Sequence, residues 1–276
     1  IQIDVDRAAE TARQLYQLEG EITPLPGELD FNFRIKTDSG SYILKISRPD
    51  AQQAYIEFRN ALLNHAADSD VELALPGPIA DVEGRYVSEI KDGSGHVRKV
   101  RLLSWMKGRL WSSVNPVTND LLYSLGEEAG KLTRALQGFD HPQAHRRLDW
   151  DVAKAEWTSE HLHLLPPAQQ EIAAHFQARF KAFKQAYQAL RKGVVHNDVN
   201  DNNIIVTRDL VAPKVRAIID FGDAVYTAII NDLAIAIAYA VMNKPDALGA
   251  AFPIVAGYHS QFPLQEDELC YLYDLV

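Results

Sequence analysis

The sequence predicts an α+β protein with two lobes, of which the first is small and β-rich and the second larger and mostly helical. In the first third, apolar and polar residues alternate with the period of β-strands. From residue 118 onward, the apolar residues recur at helical spacing. The length of 276 residues suits one large domain or two lobes, and an apolar content of 47% is typical of globular proteins.

The β-rich third begins after a first helix, which Asp4 or Asp6 can cap and whose predicted buried face carries Val5, Ala8, Ala12 and Leu15. Residues 31–35 alternate as in a half-buried strand, and a turn at 38–40 joins them to a second strand at 42–47. These two segments therefore predict a β-hairpin.

A second hairpin is predicted from residues 86–90 and 96–105, which flank the turn sequence Asp92-Gly93-Ser94-Gly95. Helices are predicted at 118–138, 151–162 and 167–191 from the spacing of their apolar residues. A strand-rich region followed by a helical one is the pattern of α+β proteins.

The charge and cysteine content exclude several classes of protein. A net charge of −9 disfavours DNA or RNA as a partner, because phosphate binding requires a basic surface. The longest apolar run, 233–242, is shorter than the ~20 residues that cross a membrane, and no signal peptide is visible. A single cysteine, Cys270, fits the reducing cytoplasm. The helix predicted from Glu266 lacks a stop signal, so we expect a truncated C-terminus and a longer parent chain, with further fused domains as an option.

The residues with the clearest chemistry lie between 193 and 232. Asp198 and Asn203 follow a short apolar strand, and Asp220 follows the strand predicted at 215–219. Side chains at adjacent strand ends can converge, and carboxylate and amide oxygens suit Mg²⁺. This spacing is also that of the catalytic and metal loops of kinases. The alternative is an Asx-rich turn without a site.

A family resemblance rests on two segments, His196-Asn197-Asp198 with Asn203 and Ile219-Asp220-Phe221-Gly222-Asp223. Together they resemble the aminoglycoside phosphotransferase and choline kinase superfamily. The order Asn200-Asp201-x-Asn203-Ile204 is similar to hydroxylysine kinase-like members of it. The resemblance implies a bilobal protein-kinase-like fold, with the N-lobe at 1–106 and the C-lobe at 107–276.

The resemblance also implies roles for individual residues. Asp198 is expected to orient the acceptor hydroxyl and accept its proton, while Asn203 and Asp220 hold Mg²⁺ on the nucleotide phosphates. His196 and Asp232 are expected to brace the catalytic loop, although Asp232 is also a good helix N-cap.

The nucleotide is expected to contact the N-lobe. Gly27 lies where the family has its phosphate-binding hairpin loop, and Lys45 is expected to bind phosphate oxygens while Glu57 holds it in place. Ser104 and Met106 lie where the family's hinge binds adenine through backbone groups. The alternatives are a solvated lysine at 45 and an exposed helix face at 57.

The predicted activity is that of an ATP-dependent small-molecule kinase, with GTP as the alternative nucleotide. The expected acceptor is an amine-bearing alcohol, namely an amino alcohol or a hydroxylated amino acid. Asp201, Asp223 and Asp151 are candidates to bind its ammonium group, with Trp150 as an aromatic neighbour unless that residue packs in the core.

Two other functions stay open from the sequence alone. An aminoglycoside antibiotic phosphotransferase would share every catalytic residue. A catalytically silent nucleotide-binding regulatory module would share the fold alone.

Overall fold

The chain divides into two compact units. In the computed structural model, which describes residues 3–27 and 30–276, the first unit comprises Ile1–Asp68 and Leu75–Lys107. The second comprises Ser69–Ala74 and Gly108–Val276. The chain therefore enters the second unit twice, briefly at 69–74 and then from Gly108 to its last residue.

An antiparallel sheet organises the first unit. Among the described residues it has six strands in the order β1-β2-β3-β6-β4, with β5 also paired to β6. The elements of this unit are α1 (Val5–Tyr16), β1 (Glu21–Leu25), β2 (Phe31–Lys36), β3 (Ser41–Ile46), α2 (Gln53–Ala67), β4 (Pro78–Ile79), β5 (Ser88–Lys91) and β6 (Val97–Ser104).

Both predicted hairpins are present, as β2 with β3 and as β5 with β6. The first strand, β1, was not predicted, because the sequence of Glu21–Leu25 contains Pro24 and little alternation. A proline is tolerated there because β1 is an edge strand, where an N–H can be missing without loss of a ladder bond.

The first helix is capped by Asp4, whose Oδ1 accepts a hydrogen bond from Arg7 N at 2.8 Å. Its buried residues are Ala8, Thr11, Ala12 and Tyr16. The predicted face is therefore partly wrong: Val5 is 39% exposed, since it lies in the first turn at the edge of the packed surface. This helix packs on a core formed by the inward side chains of β2, β3 and β6.

The second unit is mainly helical. Its elements are β7 (Arg109–Leu110), α3 (Asn119–Ala135), α4 (Pro167–Gln188), β8 (Lys192–Val195), β9 (Ile204–Val206), β10 (Val215–Ile218), β11 (Val225–Ala228), α5 (Ile230–Val241), α6 (Ala247–Gln261) and α7 (Glu266–Leu275). Its described strands form two small antiparallel sheets, β10-β9-β7 and β11-β8.

Close contact between α3 and α6 builds the centre of this unit. A Cβ at Gly126 would lie 1.9 Å from the carbonyl oxygen of Ile254, so only glycine permits this approach. The segment predicted as a helix at 151–162 differs from expectation, because it is a 3-10 helix, Val152–Leu164. None of its residues is buried, so no packed apolar face favours the α form.

In the part of the chain that the structure describes, every helix is too short or too polar to cross a membrane.

Candidate active site

The loop after β8 is held by a buried carboxylate on α5. Asp232 Oδ2 accepts a hydrogen bond from His196 N at 2.8 Å, and its Oδ1 accepts one from Asn197 N at 2.6 Å. Burial raises the pKa of Asp232 to about 6, although these two N–H groups lower it. Asp232 lies inside the first turn of α5, so it is not the N-cap of that helix but a brace for the loop.

His196 joins this loop to the end of β10. Its ring is fully buried, its Nδ1 accepts from Asp198 N at 3.1 Å, and its Nε2 donates to Ile219 O at 3.0 Å. Burial lowers the pKa of His196 to about 4, so the ring is neutral and suited to this pair of hydrogen bonds. The strands β8 and β10 belong to different sheets. The hydrogen bonds of His196 therefore connect the loops that follow these two strands.

Two amides hold the side chain of Asp198. Asn200 Nδ2 donates to its Oδ1 and Asn203 Nδ2 to its Oδ2, each at 2.7 Å. Asn203 Nδ2 also lies 3.0 Å from the backbone oxygen of Asp198. These bonds fix the carboxylate in one orientation while leaving lone pairs for a further donor.

The environment of Asp198 favours its protonated form. Burial raises its pKa, the neighbouring charges of Asp223 and Asp220 add to this, and the two amides oppose it, with a result of about 6. A carboxylate whose pKa lies close to neutral pH is suited to accept a proton from a hydroxyl group.

Asp220 begins the tight turn after β10. Its backbone lies in the left-handed region at φ 62°, and its Oδ1 accepts from Gly222 N at 3.2 Å. The following Phe221 is buried with its ring edge-on to His196, at a centroid distance of 4.7 Å. An aspartate tolerates this backbone, and the buried Phe221 anchors the turn that presents it.

The donor set fits a hard divalent cation. Asn203 uses its amide nitrogen for Asp198, and among the described contacts its Oδ1 accepts no hydrogen bond. Asp220 is exposed and contributes carboxylate oxygens to the same unit. The described residues contain no cluster of three His, Cys, Asp or Glu side chains that would bind a metal alone. Amide and carboxylate oxygens are nevertheless the ligand types that hard divalent cations prefer.

The residues predicted to bind the acceptor lie in different environments. Asp201 and Asp223 are half-buried, and Asp223 lies near enough to Asp198 to raise its pKa. Asp151 is buried, and its Oδ1 accepts from Thr227 Oγ1 at 2.9 Å and from Ala153 N at 3.0 Å. Asp151 is therefore a structural residue and not an ammonium ligand. Trp150 is 71% exposed, so its alternative assignment to the core is wrong.

In the first unit, Lys45 lies on β3 between the fully buried Leu44 and Ile46, so its half-buried side chain leaves the opposite face. The predicted pairing with Glu57 is absent from the described contacts. Glu57 is exposed and accepts a hydrogen bond from Gln53 Nε2 at 2.7 Å, one turn earlier on α2. The alternative of an exposed helix face describes Glu57 better.

The two hinge candidates also differ. Ser104 N donates to Gly77 O at 2.9 Å, and its Oγ accepts from Gly77 N at 2.8 Å, so its N–H is occupied. Within the described residues, the N–H of Met106 has no such partner. Gly27 follows β1 and leaves no room for a side chain, since a Cβ there would lie 2.3 Å from Asn32 Nδ2. The rest of this predicted phosphate loop, Glu28 and Leu29, lies outside the described residues.

Sequence reasoning assigned no role to two residues that contact the site. Asn200 follows Asp198 by two positions, and its place in an Asx-rich loop could have suggested a hydrogen bond to it. Arg146 Nη2 donates to Gly222 O at 2.9 Å, a contact over 76 positions that no local pattern could reveal.

Comparison with known proteins places these features in a family. Residues 21–266 match the family described as the phosphotransferase enzyme family. A hydroxylysine kinase of Danio rerio is 28% identical over 98% of this chain and 79% of its own length. A homoserine kinase of Methylobacillus flagellatus is 26% identical over 88% of this chain and 70% of its own length.

Solved structures share the fold. A microcompartment-associated aminopropanol kinase has a TM-score of 0.77 at 20% identity, over 99% of this chain and 85% of that one. The amicoumacin kinase hAmiN, in complex with AMP-PNP and Ca²⁺, has a TM-score of 0.74 at 19% identity, over 99% and 82%. At these identities the likeness establishes the fold, and it confirms the predicted α+β, protein-kinase-like class.

Proposed function

The chain belongs to the phosphotransferase enzyme family, and we propose that it transfers the terminal phosphate of ATP to the hydroxyl group of a small amine-bearing alcohol. The acceptor is an amino alcohol or a hydroxylated amino acid. As a small-molecule kinase of this family, the chain is an enzyme, so the alternative of a catalytically silent module is not retained.

The observation that carries this proposal is the placement of Asp198. Its carboxylate is oriented by Asn200 and Asn203, and it lies in the electrostatic field of Asp220 and Asp223. In this role Asp198 accepts a hydrogen bond from the acceptor hydroxyl, orients its oxygen for attack on the phosphorus atom and takes the proton as the bond forms.

Asn203 and Asp220 are the residues that would hold Mg²⁺, which neutralises charge on the phosphate oxygens when it is bound. We assign a phosphate contact to Lys45, and we assign the adenine contact to the backbone of Met106 in preference to Ser104. Glu57 is left out of the proposed site, because its described contact is to Gln53.

The charge of the acid cluster supports a cationic acceptor. Asp201 and Asp223 carry carboxylates beyond those assigned to proton and metal binding. The side chain of Tyr239 on α5 lies near the same acids. Burial raises its pKa, and the negative charges of Asp198 and Asp201 raise it further. An aromatic ring beside carboxylates is a suitable environment for an ammonium group.

An acceptor screen tests the proposal. ADP release is measured with Mg²⁺ and either ATP or GTP for hydroxylysine, homoserine, ethanolamine, choline and an aminoglycoside, each beside an uncharged hydroxyl analogue. We expect kcat/KM to be higher for the small amines than for their analogues. Equal values within each pair would contradict an ammonium site, and activity on the aminoglycoside alone would favour an antibiotic-modifying kinase.

A further inference from the structure

The turn that follows Asp220, Phe221–Asp223, is bound by an arginine from a distant part of the chain. Arg146 lies 76 positions before Gly222, and its Nη2 donates to Gly222 O at 2.9 Å and to Ala224 O at 3.4 Å. These two carbonyl groups flank Asp223 in the sequence, so one guanidinium group bridges the end of the turn. Because the donor is charged, the shorter of these bonds is of the stronger kind.

Two hydrogen bonds within the turn are long by comparison. Ala224 N donates to Phe221 O at 3.4 Å, and Gly222 N donates to Asp220 Oδ1 at 3.2 Å, whereas N–H···O distances centre on about 2.9–3.0 Å. Asp220 also has a left-handed backbone at φ 62°, a conformation that costs free energy in a residue other than glycine. These two bonds therefore restrain the turn weakly, and a charged donor from another segment adds to its rigidity.

The segment that carries Arg146 is itself fixed to the strand after the turn. The ring centroid of His145 lies 4.5 Å from that of Tyr226 on β11. Further along the segment, the buried Asp151 accepts a hydrogen bond from Thr227 Oγ1 at 2.9 Å. The half-buried Arg146 therefore lies between two contacts with β11, which limit the freedom of its guanidinium group.

The acids around the turn repel one another. The charges of Asp223 and Asp220 raise the pKa of Asp198, so both lie within electrostatic reach of that carboxylate. Repulsion of this kind favours movement of the turn away from Asp198 while no cation is bound. A guanidinium group that is bonded to the backbone of the same turn opposes this movement.

We propose that Arg146 is a positioning residue for the metal site, which holds the turn so that the carboxylate of Asp220 is fixed in place before Mg²⁺ binds with the nucleotide. The inference rests on the proposed kinase function, in which Asp220 is a metal ligand. A site that is ordered before binding loses less free energy when its ligand arrives, so Arg146 contributes to the affinity for the metal-bound nucleotide. Arg146 acts through the backbone of the turn.

Calorimetric titration with ATP, in the presence and in the absence of Mg²⁺, tests this role. For Arg146→Met we expect the Kd of Mg·ATP to rise about tenfold, from the usual strength of hydrogen bonds to charged groups, while the Kd of metal-free ATP stays within about twofold of wild type. The KM of the acceptor should change little, since the bonds described for Arg146 are to the turn after Asp220.

The adjacent residue provides a matched control. Arg147→Met makes the same substitution at an exposed position, where the guanidinium group is paired with Asp149 at 3.3 Å, and it should keep the wild-type effect of Mg²⁺ on ATP binding. Arg146→Lys retains a charged donor without the planar fork, so its affinity for Mg·ATP should fall about threefold. Thermal unfolding shows whether each variant is folded, and Arg146→Lys provides the test if Arg146→Met does not fold.

The outcomes separate a positioning role from a purely structural one. If Arg146→Met lowers Tm but leaves the ratio of the two Kd values for ATP unchanged, Arg146 only stabilises the fold and the proposal is wrong. It is also wrong if Arg147→Met loses as much affinity for Mg·ATP, or if Arg146→Lys, where it alone folds, binds Mg·ATP as tightly as wild type. The titration needs no acceptor. If the expected ratios are found but no small amine-bearing alcohol is phosphorylated, the proposed function fails and the role of Arg146 stands.

Discussion

Each unit of the molecule has a loop aspartate whose surroundings shift its pKa, the buried Asp81 in the first and the half-buried Asp198 in the second, and the two shifts are opposite. In the first unit, Asp81 accepts hydrogen bonds from Ser88 Oγ at 2.7 Å, from Arg85 Nε at 2.9 Å and from the backbone N–H of Glu83 and Arg85. Burial raises the pKa of Asp81, but these donors outweigh it and lower the pKa to about 2.

In the second unit, Asp198 has the opposite balance. Its partners are two neutral amides, and its charged neighbours Asp220 and Asp223 are also acids, so burial prevails and its pKa rises to about 6. The residue type and the loop setting are the same in both units. The difference comes from the donors, since a guanidinium group stabilises the ionised form and neighbouring carboxylates destabilise it.

The comparison distinguishes carboxylates that are paired with arginine from the one carboxylate that we propose to be catalytic. Asp92 repeats the first pattern, because Arg98 Nε lies 2.7 Å from its Oδ2 and its pKa is lowered despite burial. An aspartate saturated by donors stabilises a turn and has no capacity left for a substrate. An aspartate held by two amides among acids keeps lone pairs and proton affinity for chemistry.

The largest expected effect is on turnover. Asp198→Asn should lower kcat by roughly 10²- to 10⁴-fold, the usual contribution of a positioned general base, with little change in ATP affinity. Steady-state ADP release and nucleotide titration measure the two quantities. Asp209→Asn, in an exposed turn, is the control that should keep wild-type turnover. Near-normal kcat in Asp198→Asn would contradict the proposed role of Asp198 as the general base.

The second effect concerns metal-dependent binding. Asp220→Ala should weaken Mg·ATP binding by at least about tenfold more than Asn203→Ala, because it removes an anionic ligand and the other removes a neutral oxygen. Calorimetric titration with and without Mg²⁺ measures this difference. Tight Mg·ATP binding by Asp220→Ala would contradict the assignment of Asp220 as a metal ligand.

A smaller effect is expected on stability in the first unit. Asp81→Asn should lower Tm by about 5 °C, because an amide cannot accept every hydrogen bond that the carboxylate receives and loses the charge of Arg85 as a partner. Circular dichroism measures the transition, with the exposed Asp68→Asn as control. An unchanged Tm would mean that the donors around Asp81 contribute nothing to stability.

The smallest effect is the pH dependence of that difference. The folded pKa of Asp81 is about 2, below its ordinary value of 3.8, so its stabilisation is complete above 3.8 and is lost as the pH falls toward 2. The Tm gap between wild type and Asp81→Asn should stay constant from pH 7 to 5 and narrow below about pH 4. A Tm gap that widened as the pH fell would contradict the lowered pKa of Asp81 in the folded protein.

Local patterns in the sequence anticipated much of the fold and part of the candidate site. Alternation and turn residues predicted both hairpins of the first unit, because these strands are half-buried and joined by short turns. The Asp198–Asn203 spacing predicted their proximity, since a loop of that length can close on itself. The edge strand β1 and the strand β11 gave weaker patterns and were missed.

Local patterns therefore specify the identity and order of short-range features, namely strands, turns and the loop that carries Asp198. Long-range packing sets which carboxylates form hydrogen bonds within the protein. It buries Asp151 with a hydrogen bond from Thr227, leaves Glu57 on an exposed helix face and brings Arg146 to the carbonyl of Gly222. Local patterns cannot reveal this, because burial and long-range hydrogen bonds set the charge state of an acid, and both depend on residues far away in the chain.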